Sequence, residues 1–291
     1  KLDKEKFSSN FNKILGLLDE PIGAPTYIPM YFLSELASKN VKSVLSGDGA
    51  DEIFGGYENF NYLKLFKYIN FLKLNKIFSK AKNLISLFPI SKNNLSLDFK
   101  LRRFSQGMEV NEIFQNTFFL SSLSLKDHED LFKEKFDFEE ILDEVIQFEN
   151  ENTDVNYIDK NYLYFVNFYI PDLICARADK AGMLNSLEIR SPFLNSKILN
   201  LMLSIPEKKS YLLKNKIILK KLALKKFNYN FFKIKKGGFT YPMQKWLNTS
   251  DANQNKLMDK DKFLQMKFDH LNKKREFRNF FHCNKVLNNF I

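Results

Sequence analysis

Three carboxylates, Asp48, Asp51 and Glu52, fall within one glycine-punctuated turn, Ser46-Gly47-Asp48-Gly49-Ala50-Asp51-Glu52. Like charges this close repel unless a cation or hydrogen-bond donors offset them. A Mg²⁺ ion bridging to phosphate oxygens is one such offset. The turn follows a short β-branched run and leads into a helix, whose first N–H groups and partial positive charge favour an anion. A plainer reading stands beside this one: Asp48 and Asp51 cap the helix, and the glycines only permit positive φ. The ligand spacing of an EF-hand loop is absent.

Two further segments carry chemistry. In Tyr169–Leu194, Arg177 and Lys180 lie three apart on a helix and could hold a phosphate or a carboxylate. Asp179 and Glu188 are their candidate partners, and solvated helix charges are the alternative. In Lys235-Lys236-Gly237-Gly238-Phe239-Thr240-Tyr241-Pro242, the glycines would let backbone and ammonium approach an anion together. A helix stop followed by a turn explains the same glycines.

The elements that must position these residues are mostly helical. Residues 1–18 show one apolar face, and Asp19-Glu20-Pro21 ends it. Met30–Lys39 reads as a short helix with Leu33, Leu36 and Ala37 inward. Val41–Leu45 is the clearest strand, short and buried in character. Asn61–Ile90 is a run of apolar and Lys residues at helical spacing; core-facing helices with snorkelling lysines are favoured over an interfacial membrane helix. Tyr157–Tyr169 reads as an aromatic helix stopped by Pro171, Leu173–Leu187 as another, and Tyr211–Phe227 as one basic amphipathic helix.

Composition narrows the class. The 291 residues carry 44% hydrophobic and 27% charged side chains, ordinary for a globular chain with a sizeable core. The formal net charge of +11 comes from 45 Lys+Arg against 34 Asp+Glu, interleaved rather than clustered. No nucleic-acid-binding signature accompanies it, so neither nucleic acid nor a membrane surface is the expected partner. Cys175 and Cys283 cannot build a disulfide framework and fit a reducing compartment. With three His residues, a His/Cys metal site is not expected. There is no transmembrane run and no signal-peptide pattern, and a cytoplasmic location is expected.

Taken in order, the three segments resemble the synthetase domain of the glutamine-hydrolysing asparagine synthetases and their relatives. Asp19-Glu20-Pro21 with Ile28-Pro29 resembles the stretch before that family's S-G-D/E-G-x-D-E turn. Pro192-Phe193-Leu194 resembles its P-F-L-D segment, with Asn195 replacing the acid. The resemblance runs from about Asp19 to Leu247. It implies an α/β, predominantly helical fold like the carboxyl-terminal part of an adenine-nucleotide α-hydrolase (ATP pyrophosphatase) domain, with the first parallel strands missing. The chain then divides as one partial synthetase domain: 1–60 strand, turn and helix; 61–156 helical insertion; 157–250 helical part of the active site; 251–291 a last helical segment.

The resemblance also implies roles. Family members use ATP and Mg²⁺ to adenylate a carboxylate, and ammonia drawn from glutamine then displaces AMP. By motif position Asp51 resembles a Mg²⁺ ligand. Asp48 resembles the acid that contacts substrate and deprotonates the incoming amine. Lys236 resembles the lysine that stabilises charge on the α-phosphate and departing pyrophosphate. Ser46, Gly47, Gly49, Arg177 and Asp179 fall where the family contacts nucleotide or substrate. The family's S-G-G-x-D-S-[ST] pyrophosphate loop occurs nowhere in this sequence, nor does an amino-terminal catalytic Cys with glutaminase-like strands. The chain is therefore expected to be a fragment, inactive alone and completed by a missing glutaminase domain and loop segment. Its acceptor is expected to be aspartate, with a sugar-linked carboxylate or a non-catalytic scaffold as the alternatives.

Overall fold

The computed structural model describes residues 2–57, 59–74, 97–108, 110, 115, 120–133, 137, 140, 142–206, 208–227, 239, 241–247 and 252–290. The helices in chain order begin with α1 (Lys4–Leu15), α2 (Tyr27–Ser38), α3 (Ala50–Phe54), α4 (Asn59–Phe71) and α5 (Leu97–Met108). Next come α6 (Leu125–Leu131), α7 (Asp143–Glu151), α8 (Tyr157–Tyr164) and, after a π-helix at Phe165–Cys175, α9 (Ala176–Met183). The rest are α10 (Ser196–Ser204), α11 (Lys209–Leu212), α12 (Ile217–Leu224), α13 (Met243–Trp246), α14 (Lys260–Leu271) and α15 (Arg278–Leu287). The strands β1 (Ser43–Leu45) and β2 (Glu188–Arg190) pair in parallel, with Val44 opposite Ile189.

The residues gather into two compact units built from interleaved stretches. One unit comprises Lys1–Pro25, Tyr68–Asn152 and Thr240–Ile291; the other comprises Thr26–Lys67 and Thr153–Phe239. The first unit is an aromatic-rich helical assembly. Asp3 caps α1 by accepting from the Lys6 N–H at 2.9 Å, and α1 buries Phe7, Phe11, Ile14 and Leu15, the face its spacing predicts. Phe7 and Tyr241 lie 4.4 Å apart between ring centroids, and Phe263, Phe280 and Phe281 form a second ring cluster. A buried Phe of this kind contributes on the order of 1.5–3 kcal/mol.

The second unit holds the parallel strand pair. Here α2 packs against α9, and its buried side chains are Tyr27, Ile28, Met30, Phe32 and Ser34. That corrects the expected face: Leu33 and Leu36 are 52% and 60% exposed. The helix starts at Tyr27, so its packed side includes residues from a turn that the sequence reading left in the loop. The strand at Ser43–Leu45 is shorter than the predicted Val41–Leu45 and is not buried, with Leu45 75% exposed. Pro171 does not stop its helix either. The backbone continues through it as a π-helix, whose wider winding fits a residue that supplies no N–H and crowds the carbonyl four positions back. Tyr211–Phe227 is not one helix: Asn215 (φ 46°) and Lys216 (φ 58°) break it between α11 and α12. No helix among the described residues is long and apolar enough to cross a membrane.

Candidate functional site

Within the second unit, the carboxyl end of β1 delivers the acidic turn. The ladder runs one residue past β1, since Ser46 N–H donates to the Arg190 carbonyl at 2.8 Å. Ser46 Oγ then donates to Asp48 Oδ2 at 2.8 Å and lies 3.1 Å from Ser191 Oγ. Gly49 adopts φ 86°, and a Cβ there would strike the Leu194 side chain at 2.2 Å. That close approach docks the Pro192-Phe193-Leu194 segment onto the turn. Asn195 caps α10 by accepting from the Lys197 N–H, a task Asn performs as well as the acid it replaces.

Each carboxylate of the turn has its own compensation. Arg177, 8% exposed, reaches from α9 to Asp48 Oδ1 at 2.7 Å through Nη2, while Nη1 donates to Thr26 Oγ1 at 2.9 Å. Asp51 Oδ1 is paired with Lys216 Nζ at 2.9 Å. Glu52 is buried and accepts from the Tyr57 hydroxyl. Burial pushes the Glu52 carboxyl above its usual range, and the nearby Asp51 and Asp48 push the same way. Burial also raises the Tyr57 and Tyr169 hydroxyls, so both stay protonated and available as donors. The repulsion that invited a metal ion is thus relieved in part by the chain's own groups.

The structure brings together Ser46, Gly49, Asp48, Asp51 and Arg177. A Cβ at Gly47 would meet nothing within 4 Å, so the turn is open on that side. Asp179 is exposed, and two residues along a helix place it about 200° around α9 from Arg177. It does not share Arg177's face. Lys236 and the glycines beside it lie outside the described residues. Thr26, Ser191 and Lys216 were missed from sequence. Only Lys216 had a signal, the Gly55-Gly56 pair, because adjacent glycines mark a close approach by another segment, here Leu212 and Lys216.

Asp51 is the candidate Mg²⁺ ligand of the turn. Among the described residues no three His, Cys, Asp or Glu side chains gather as a metal cluster. Asp48 accepts from Arg177 on Oδ1 and from Ser46 on Oδ2, and Asp51 Oδ1 is paired with Lys216. Asp51 is a hard oxygen donor beside Gly56, where an added Cβ would fall 1.9 Å from Asp51 Oδ1. Mg²⁺ commonly takes one or two carboxylates and completes its shell with water and phosphate, so Asp51 fits one such ligand.

Comparison with known proteins gives the following. Residues 1–287 match the family described as asparagine synthase. The chain is similar to asparagine synthetase [glutamine-hydrolyzing] 1 of Bacillus subtilis, at 26% identity over 92% of this chain and 43% of the relative. A putative asparagine synthetase [glutamine-hydrolyzing] of Mycobacterium tuberculosis (strain H37Rv) is 47% identical over 53 residues, covering 18% of this chain and 8% of the relative. A second putative enzyme of that name, from Methanocaldococcus jannaschii, is 49% identical over 51 residues, covering 18% of this chain and 10% of the relative. The chain therefore spans less than half the length of these relatives. No solved structure matches it.

Proposed function

Because the chain belongs to the asparagine synthase family, we propose that it is the carboxyl-terminal part of an ATP-dependent amidotransferase that adenylates a carboxylate, aspartate first, and joins ammonia derived from glutamine. The observation that carries this reading is the meeting of two distant motifs. Arg177, from the second motif, is locked onto Asp48 of the acidic turn, with Ser46 and Ser191 beside them. Asp51 offers the carboxylate for Mg²⁺, which when bound would shield the negative charge that adenylation concentrates on phosphorus. Lys236 would serve the same charge, as the family's matching lysine does.

The chain's own residues divide the remaining work. Gly47 leaves room for a ligand against the turn, and Arg177 with Ser46 fixes the Asp48 carboxylate. Each Asp48 oxygen accepts one of these hydrogen bonds and keeps a second lone pair, so the carboxylate can also accept from an incoming amine. Arg177 and Ser46 thus orient Asp48, which can then act as the base.

The pyrophosphate loop comes from polypeptide outside these 291 residues, in the adenine-nucleotide α-hydrolase-like sheet that β1 and β2 would extend. The test is aspartate-dependent ATP–pyrophosphate exchange. The chain alone should give none, and joining it to a relative's glutaminase and S-G-G-x-D-S segment should restore exchange that Asp51→Asn abolishes. A joined protein that folds yet shows no exchange with aspartate or a sugar-linked carboxylate would leave the scaffold reading. That alternative draws on the internal pairing of Asp48 and Asp51.

A further inference from the structure

We propose that Lys216 is a built-in counter-ion that holds the cation position on Asp51, so that a divalent cation binds only by displacing it. The inference rests on the reading of Asp51 as the magnesium carboxylate and adds a competitor from the chain itself.

The ion pair is constructed rather than incidental. Lys216 and the preceding Asn215 both take left-handed backbone, which residues with a Cβ avoid. That strained corner is pinned where the Lys216 N–H donates to the Gly55 carbonyl at 3.2 Å. Gly55, itself left-handed at φ 70°, must lack a Cβ because one would fall 2.3 Å from the Leu212 carbonyl oxygen. Gly56 must lack one because it would strike both Asp51 Oδ1 and Lys216 Cε, the latter at 2.2 Å. Two glycines and two left-handed residues thus aim one ammonium at one carboxylate.

The two ion pairs of the turn differ in how firmly they are held. Arg177 is buried and spans two acceptors, Asp48 and Thr26. Lys216 Nζ reaches Asp51 from the end of a flexible stem, with the two side chains 24% and 25% exposed. Solvent can therefore reach the second pair and replace its members. A divalent cation on Asp51 Oδ1 would lie within a few ångströms of the ammonium, and like charges at that distance repel strongly in a half-buried place. The ammonium therefore opposes a cation on that oxygen. Cation binding must then carry the cost of moving Lys216, and the cation-free turn remains neutralised and folded.

The test uses Mn²⁺ as the probe, titrated into the full 291-residue chain and followed by the electron paramagnetic resonance signal of the free ion. Lys216→Asn removes the ammonium while tolerating the left-handed backbone, and Lys216→Met is the second variant. Circular dichroism identifies which variants are folded. The folded variant should bind one Mn²⁺ about tenfold or more tightly than the parent chain. Adding Asp51→Asn should erase that gain. Equal affinity in variant and parent, including no measurable binding by either, overturns the proposal, as does a gain that survives Asp51→Asn. No ATP or pyrophosphate loop is required, so this outcome separates from that of the exchange assay.

Discussion

Glu52 shows how single residues set the behaviour of the turn. It is 3% exposed and sits beside two other carboxylates, yet it keeps one good donor in Tyr57. Burial is the largest reason its carboxyl is raised above the ordinary 4.5. The folded protein therefore holds this proton more tightly than the unfolded chain does. The resulting stabilisation is complete below about 4.5 and is lost as pH rises from there through the folded value. Glu52→Gln keeps an acceptor for Tyr57 and removes the titration. Urea unfolding should show the variant gaining on the parent as pH rises from 4.5 to 7, by about 1.4 kcal/mol for each unit of the shift. A constant difference across that range would mean that its surroundings do not raise the Glu52 carboxyl.

At the scale of elements, the glycines of the turn act as contacts between segments. Gly55 ends α3 at φ 70° and faces the Leu212 backbone of α11. Gly55→Ala combines a strained φ with a backbone clash and should cost about 2–4 kcal/mol. A thermal melt measures the loss, and a melting temperature within 1 °C of the parent's, well inside the spread such a loss implies, would contradict the packing.

How far these elements were legible follows from which signals are local. The Asp48–Asp51 turn and Arg177 stand out in sequence because each motif is written in consecutive residues, though their contact is not; the α1 face is legible because its period is regular. The α2 face was misread because its first turn contains Pro29, a residue that reads as loop yet is permitted there. Pro171 misled in the same way, since a π-helix can absorb it. The break at Asn215 and Lys216 carries no glycine or proline, so nothing local announced it. β2 is three residues of mixed polarity, and it becomes a strand only when β1 lies beside it.

For the whole molecule, the parallel strand pair is the informative feature. Parallel sheets are normally covered on both faces, because their crossovers place helices there. Two three-residue strands are also too few to stand alone. In the second unit, Leu45 on β1 is 75% exposed, and Leu33 and Leu36 on the unpacked side of α2 are exposed with it. If the sheet continues on further polypeptide, as proposed above, its faces would be covered there. Leu45→Lys puts a charge on a face of this sheet and is a surface change for the chain alone. Its stability should therefore stay within about 0.5 kcal/mol of the parent's. In the joined protein the same substitution should destabilise by several times that amount, because helices of the added crossovers would bury the lysine. Equal effects in the isolated and joined chains would show that this face of β1 stays exposed in the joined protein.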